Sequence, residues 1–428
     1  MRIEPAGRLA GHVTVPGDKS ISHRAVLIAS ICEGETLIRG FGRSEDTERT
    51  VRAVRSLAVR VEELEVNELV VHGVGFRGLE APDGPIDCGN AGTLVRLLAG
   101  ILAGQEGQQF ELVGDESLST RPMNRIAEPL TRMGTGVETD RGRLPLGIEG
   151  RPLRGITYEL PVASAQVKSC ILLAGLYAQG ETIVIEPVPT RDHTESLLEM
   201  AGARVDPRPN RVTVWPAEHL ALGGLEVPGD FSSAAPFIVA ATLLKGSELH
   251  VNAVNLNPRR TGLLRILERM GARVAIRKPR RICGEPAGDL VVRHSELTAT
   301  DVTGDEVPAA IDELPLFALA AACASGESVL RGAAELRAKE SDRIEALVEG
   351  LSALGADIQA TPDGFRVRGV SGRLQGGAMA SRVDHRIAMV AGAAGLMSTE
   401  GVEIGDPGAV AVSFPGFFDL LETLIHAP

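Results

Sequence analysis

Six times along this chain, a run of small aliphatic residues leads through a glycine or polar turn into a short strand-forming segment. The runs are AVLIASICEGETLIRGF from Ala25, RLLAGILAGQEGQQFELVG from Arg96 and CILLAGLYAQGETIVIEPV from Cys170. They continue with PFIVAATLLKGSELHVNAV from Pro236, LFALAAACASGESVLRGA from Leu316 and AMVAGAAGLMSTEGVEIGD from Ala388. Successive starts lie 66 to 80 residues apart, a spacing regular enough to mark one repeated unit. A second helical pattern follows most runs, as in TESLLEMAGARVD from Thr194, TGLLRILERMGARVAI from Thr261 and DRIEALVEGLSALGADIQ from Asp342. There the apolar residues fall near i, i+3, i+4 and i+7, so one face is buried, and a glycine stops the helix before the next strand. The first helix of each unit is so rich in Ala, Leu, Val and Gly that it is expected to be buried on most sides.

Repeats holding two helices and several strands predict an α/β (α+β) protein. At 428 residues the chain is too long for one compact core, so six units suggest two domains of three. Glu226-Val-Pro-Gly-Asp230 lies between units three and four and reads as the linker. The segment Arg2 to Val15 reads as an N-terminal strand. The expected domains are residues 1–15 with 229–428, and residues 16–228, with a ligand in the cleft between them.

Composition narrows the partner. Aromatic residues make up 3% of the chain and the formal net charge is −12. A base-stacking or phosphate-tracking nucleic-acid binder needs the opposite of both. No apolar run is long enough to cross a bilayer, and the start of the chain lacks a signal-peptide pattern. Cys32, Cys88, Cys170, Cys283 and Cys323 show no metal-type spacing, so reduced thiols in a cytoplasmic protein are expected. A small anion remains a possible ligand, because local cation clusters matter more than the global sum.

Such clusters recur ahead of helices. VPGDKSISHRA, from Val15, looks like a phosphate loop but lacks its glycines; Lys19, Ser20 and Arg24 stand at the start of a helix, where an anion is favoured and a cation is not. GNAGT runs straight into the helix carrying Arg96. Arg121-Pro122 precedes another helix, with Arg125 one turn on. In ELRAKESDRIEALVEGL, Lys339 and Arg343 are spaced i,i+4, so on one helix they would repel. Val383-Asp384-His385-Arg386 opens a further apolar helix. Asp312 and Glu313 precede another, as a helix cap or as a general base beside cations. On spacing alone, a capped turn or a solvated charge explains any one of these.

Taken together, PGDKSISHRA, GNAGT with Arg96, STRPM, SAQVKS, DELP, KESDRI, DHRIAM and SFPGFF resemble the 5-enolpyruvylshikimate-3-phosphate (EPSP) synthase family, the 3-phosphoshikimate 1-carboxyvinyltransferases, and SAQVKS in place of a double serine is closer to its second bacterial class. The resemblance implies the enolpyruvyl transferase fold: two similar domains, each of three βαβαββ repeats around a pseudo-threefold axis. It implies transfer of the enolpyruvyl group of phosphoenolpyruvate to the 5-hydroxyl of shikimate 3-phosphate on the way to chorismate, without metal or cofactor, in a cytoplasmic monomer that glyphosate targets. Shikimate 3-phosphate would be held by Lys19, Ser20, Arg24, Ser164, Ala165, Gln166, Arg191, Asp312 and Lys339. Phosphoenolpyruvate would be held by Lys19, Gly92, Arg121, Gln166, Arg343 and Arg386. Asp312 resembles the base for the 5-hydroxyl, and Glu340 with Lys19 the group handling the C3 proton. Where some members carry a lysine before the Ser-Phe-Pro stretch, this chain has Val412. The alternatives are a UDP-N-acetylglucosamine enolpyruvyl transferase, whose loop cysteine is absent from Gly114 to Leu130, and a non-catalytic anion-binding module, which would not need Asp312 and Glu340.

Overall fold

Small aliphatic runs form helices readily and pack closely, and they set the architecture. The computed structural model describes residues 1–425. The chain divides into two compact units. One comprises Met1–Pro16, Gly229–Arg281 and the chain from Pro286 onward; the other comprises Gly17–Pro228 with Ile282–Glu285. Among the described residues, twelve helices of eight residues or more alternate in kind: α1 (Lys19–Ser30), α2 (Glu45–Ser56), α3 (Gly92–Leu102), α4 (Asn124–Met133), α5 (Ala165–Gly175), α6 (His193–Met200), α7 (Phe231–Leu243), α8 (Gly262–Arg269), α9 (Leu314–Cys323), α10 (Arg343–Ala353), α11 (His385–Leu396) and α12 (Phe417–Ile425). The odd-numbered helices are the repeated apolar runs, and all but a few of their residues are buried. The even-numbered ones bury one face.

In the 17–228 unit, each repeat adds a sheet of the same design. A parallel strand joins three antiparallel strands, the last of which in sequence lies between the other two: Gly224–Glu226 pairs with Glu33–Arg39, Ile86–Asp87 with Gln109–Val113, and Thr157–Glu159 with Thr182–Ile185. In the other unit, Ala10–Val13 runs parallel to Glu248–Asn255, and Gly377–Ala380 parallel to Val402–Gly405. A single Val302–Leu330 bridge adds the parallel element to Glu327–Leu330. The N-terminal segment forms two strands, not one. Arg2–Ile3 pairs with Val402–Glu403, and Ala10–Val13 with Glu248–Val251, in different sheets. Pro5 and Gly7 lie between them, where proline withholds a ladder donor.

The odd helices pack on one another: α7, α9 and α11 in all three pairings, and α3 against α1 and α5. Glycine makes the α3–α5 approach feasible. A Cβ added at Gly100 would lie 2.3 Å from the Cys170 carbonyl oxygen. Gly100→Ala is therefore expected to lower stability by about 1–3 kcal/mol through overpacking, read as a lower denaturant midpoint at unchanged m-value. An unmoved midpoint would show that the two helices separate freely.

Candidate functional site

Within each unit the odd-numbered helices pack on one another, and many of the singled-out residues lie at or near their first turns. In the 17–228 unit, Asp18 caps α1 by accepting from Ile21 N–H at 3.0 Å, and Ser164 caps α5 by accepting from Val167 N–H at 3.4 Å. From α1, Arg24 donates to Ser20 O (2.9 Å), Thr194 Oγ1 (2.7 Å), Ser169 Oγ (2.9 Å) and Gln166 Oε1 (3.3 Å). Gln166, in the first turn of α5, donates in turn to Thr93 Oγ1 in the first turn of α3 at 2.7 Å. The starts of α1, α3 and α5 are thus joined by one polar chain, and Ser20, Ala165 and Gln166 lie along it.

The cations there are held by the protein and crowd one another. Lys19 Nζ lies 2.7 Å from Asp46 Oδ2. Burial, and next the like charge of Arg191, bring the Arg24 pKa down to about 10, so an anion bound beside the pair would be favoured. His23, one residue before Arg24, is held well below the ordinary histidine range by burial, Lys19 and Arg24. Its Nδ1 meets Thr50 Oγ1 at 2.6 Å. GNAGT does not cap α3 with a side chain; Ala91 is the cap position and Gly92 opens the helix. A Cβ at Gly92 would lie 2.7 Å from Arg96 Nη1 and 3.0 Å from Arg121 Nη1, so these two guanidiniums flank the glycine. Arg121 bonds Asn90 Oδ1, and Asn90 Nδ2 donates to Asp115 at 2.8 Å, which fixes the amide's orientation. Arg121-Pro122 does lie just ahead of a helix: Arg121 follows the short turn Glu116–Ser119, and α4 begins at Asn124.

The other unit repeats the pattern with carboxylates added. At the start of α9, Glu313 does not cap with its side chain. It is fully buried and takes both oxygens to Arg260 Nη1, at 2.9 and 3.0 Å, while Ser232 in the first turn of α7 donates to it. Burial pushes the Glu313 carboxyl up, with Arg260 opposing and Asp312 reinforcing. Lys339 and Arg343 do not share a helix. Residues 334–338 form a 3-10 turn, Lys339 is extended, and α10 begins at Arg343 behind the cap Asp342. They nevertheless converge on Asp312, at 3.8 and 3.6 Å.

Arg343 is the centre of this cluster, 1% exposed. It lies 2.6 Å from Glu340 and 2.9 Å from Asp384. Burial works against its charge, and Asp384, Glu340 and Asp312 more than reverse that, raising its pKa above the ordinary guanidinium value. Asp384 also caps α11 by accepting from Arg386 N–H at 2.9 Å, and Ser341 donates to it at 3.0 Å. Asp384 of VDHR therefore serves as a cap and an ion-pair partner. Arg386 is the second residue of α11, buried and near enough to Glu313 to act on its charge. Val412 ends the 3-10 turn Pro407–Val412.

Several site neighbours escaped the sequence reading: Asp46, Thr194, Arg260 and the pairing role of Asp384; Asn90 and Thr93 stood in GNAGT, but their partners Arg121 and Gln166 did not follow from it. Thr194 and Ser169 lie inside quoted motifs; Asp46 and Arg260 carry no local signal. Among the described residues, Asp192, His193 and Glu285 have metal-type ligand atoms within 4.8 Å of one another, but the 2.8 Å His193 Nδ1–Glu285 hydrogen bond already accounts for that approach.

The family model described as EPSP synthase (3-phosphoshikimate 1-carboxyvinyltransferase) matches residues 3–421. The chain is 49% identical to the 3-phosphoshikimate 1-carboxyvinyltransferase of Methylococcus capsulatus, over 98% of this chain and 96% of that protein. The solved EPSP synthase of Acinetobacter baumannii is 44% identical, with a TM-score of 0.88 over 99% of this chain and 97% of that one. The enolpyruvyl transferase NikO of Streptomyces tendae, at 18% identity and a TM-score of 0.78 over 99% and 96% of the two chains, shares the fold. No described helix is long and apolar enough to cross a membrane. A family match spanning nearly the whole chain, with a relative 49% identical over nearly the full length of both proteins, means that the chain belongs to the EPSP synthase family of 3-phosphoshikimate 1-carboxyvinyltransferases.

Proposed function

We propose that the two sets of helix-start residues divide one reaction: the transfer of enolpyruvyl from phosphoenolpyruvate to the 5-hydroxyl of shikimate 3-phosphate. The observation that carries this reading is the cluster of Asp312, Lys339, Glu340 and Arg343, which gathers acid–base groups and cations around one buried guanidinium. Asp312 takes the 5-hydroxyl proton as that oxygen attacks C2 of phosphoenolpyruvate. Glu340 and Lys19 handle the proton that C3 gains in the addition and gives up in the elimination. Phosphate leaves from C2, and the enolpyruvyl ether remains. Arg121, Arg343, Arg386 and Lys19, with Gly92 and Gln166, receive phosphoenolpyruvate; guanidinium forks match carboxylate and phosphate oxygens. Lys19, Ser20, Arg24, Ser164, Ala165, Gln166, Arg191, Asp312 and Lys339 receive shikimate 3-phosphate. Arg24 already makes four hydrogen bonds within the protein, so much of its part is to orient Gln166.

Phosphate release on mixing both substrates tests the assignment. The wild type is expected to release phosphate with shikimate 3-phosphate and not with UDP-N-acetylglucosamine as acceptor. Asp312→Ala and Glu340→Ala are each expected to lower kcat by about 100-fold or more. Full activity in both variants would remove the proposed acid–base roles.

Gly92→Ala gives a second, independent check. The added methyl displaces the ends of two flexible arginines rather than backbone, so the variant is expected to fold. Its KM for phosphoenolpyruvate should rise about three- to tenfold, with KM for shikimate 3-phosphate within about twofold. An unchanged phosphoenolpyruvate KM would place that substrate elsewhere.

We further assign a cytoplasmic monomer. All five cysteines are unpaired, which suits a reducing compartment. Sedimentation velocity giving a dimer at assay concentration would overturn the monomer.

A further inference from the structure

One buried ion cluster has no part in the chemistry above. Lys168 lies on α5, two residues beyond Gln166, with its side chain fully buried. Its ammonium lies 2.7 Å from Glu195 in the first turn of α6 and 3.1 Å from Glu186 at the end of the strand Thr182–Ile185. It also donates to the Thr190 carbonyl at 3.3 Å. Glu186 takes the remaining groups of Thr190: its N–H at 3.1 Å, and its hydroxyl. Every polar group of Thr190 is therefore held. The two prolines before it, Pro187 and Pro189, offer no N–H of their own. The next residue is Arg191.

A buried lysine with two carboxylates is a weak source of stability, because desolvation offsets most of the attraction. What it provides is geometry. The cluster ties together α5, which carries Gln166; the start of α6, which carries Thr194; and the segment that ends in Arg191. Thr194 in turn accepts from Arg24 at 2.7 Å, and Arg191 is close enough for its charge to act on Arg24.

We propose that Lys168, through Glu186 and Thr190, is a positioning residue that sets Arg191 beside Arg24 to receive the phosphate of shikimate 3-phosphate. This rests on the assignment of Arg191 made above. Thr190→Val removes the hydroxyl bond to Glu186 at nearly equal volume, whereas Thr190→Ser keeps the bond and loses a methyl. A packing role would make serine at least as harmful as valine; a positioning role spares serine.

The test is steady-state kinetics on the purified enzyme with each substrate varied in turn. Thr190→Val is expected to raise KM for shikimate 3-phosphate about fivefold, and Lys168→Met about tenfold or more, with KM for phosphoenolpyruvate within about twofold. Thr190→Ser should stay near wild type. Arg191→Ala should raise the same KM, and adding Thr190→Val to it should add little. An unmoved shikimate 3-phosphate KM in folded Thr190→Val and Lys168→Met, while Arg191→Ala raises it, would overturn the inference alone. So would full additivity with Arg191→Ala. An unmoved KM in Arg191→Ala would overturn the assignment of Arg191 and this inference with it. Should Lys168→Met fail to fold, the Thr190→Val and Thr190→Ser pair decides.

Discussion

Each unit depends on the mutual burial of three small-residue helices. α7, α9 and α11 pack in all three pairings, and α3 packs on both α1 and α5. The sheets and even-numbered helices are the cover that this core requires. The same packing brings helix N-termini together. Each N-terminus carries free amide donors and the positive end of a dipole, so a set of three favours anions before any charged side chain is added.

The side chains at these starts are then held in place by the protein itself. In one unit a polar chain runs from Arg24 through Gln166 to Thr93. In the other, Ser232 and Arg260 close on Glu313 while Arg343 gathers Asp312, Glu340 and Asp384. Buried guanidiniums would be costly if unpaired. Pairing keeps them charged and aimed, so binding needs little reorganisation at the moment of reaction. The cluster assigned the 5-hydroxyl proton is the one in which Asp312, Glu340 and Asp384 surround a single buried guanidinium, that of Arg343.

Much of the fold was legible because its signals are local. Six apolar runs became six buried helices, and glycine-stopped amphipathic patterns became the helices between them. Local reading failed where it assumed continuity. Lys339 and Arg343 looked like neighbours on one helix, yet an irregular stretch separates them and a shared carboxylate joins them. Glu313 looked like a cap because it precedes an apolar run; its partner Arg260 lies 53 residues earlier in the chain. The N-terminal segment looked like one strand because nothing in its pattern reveals that its two ends belong to different sheets.

The sequence by itself determined the repeat, the small-residue helices, the placing of cations and carboxylates at their starts, and, through eight ordered motifs, the family. Those features depend on residue type and near-neighbour spacing, which the chain carries in full. Only the tertiary structure decided which charge meets which: Lys19 with Asp46 across 27 residues, Arg343 with Asp384 across 41, and Arg24 with Thr194 across 170. Through-space pairing follows from how helices pack, and helical periodicity does not encode it.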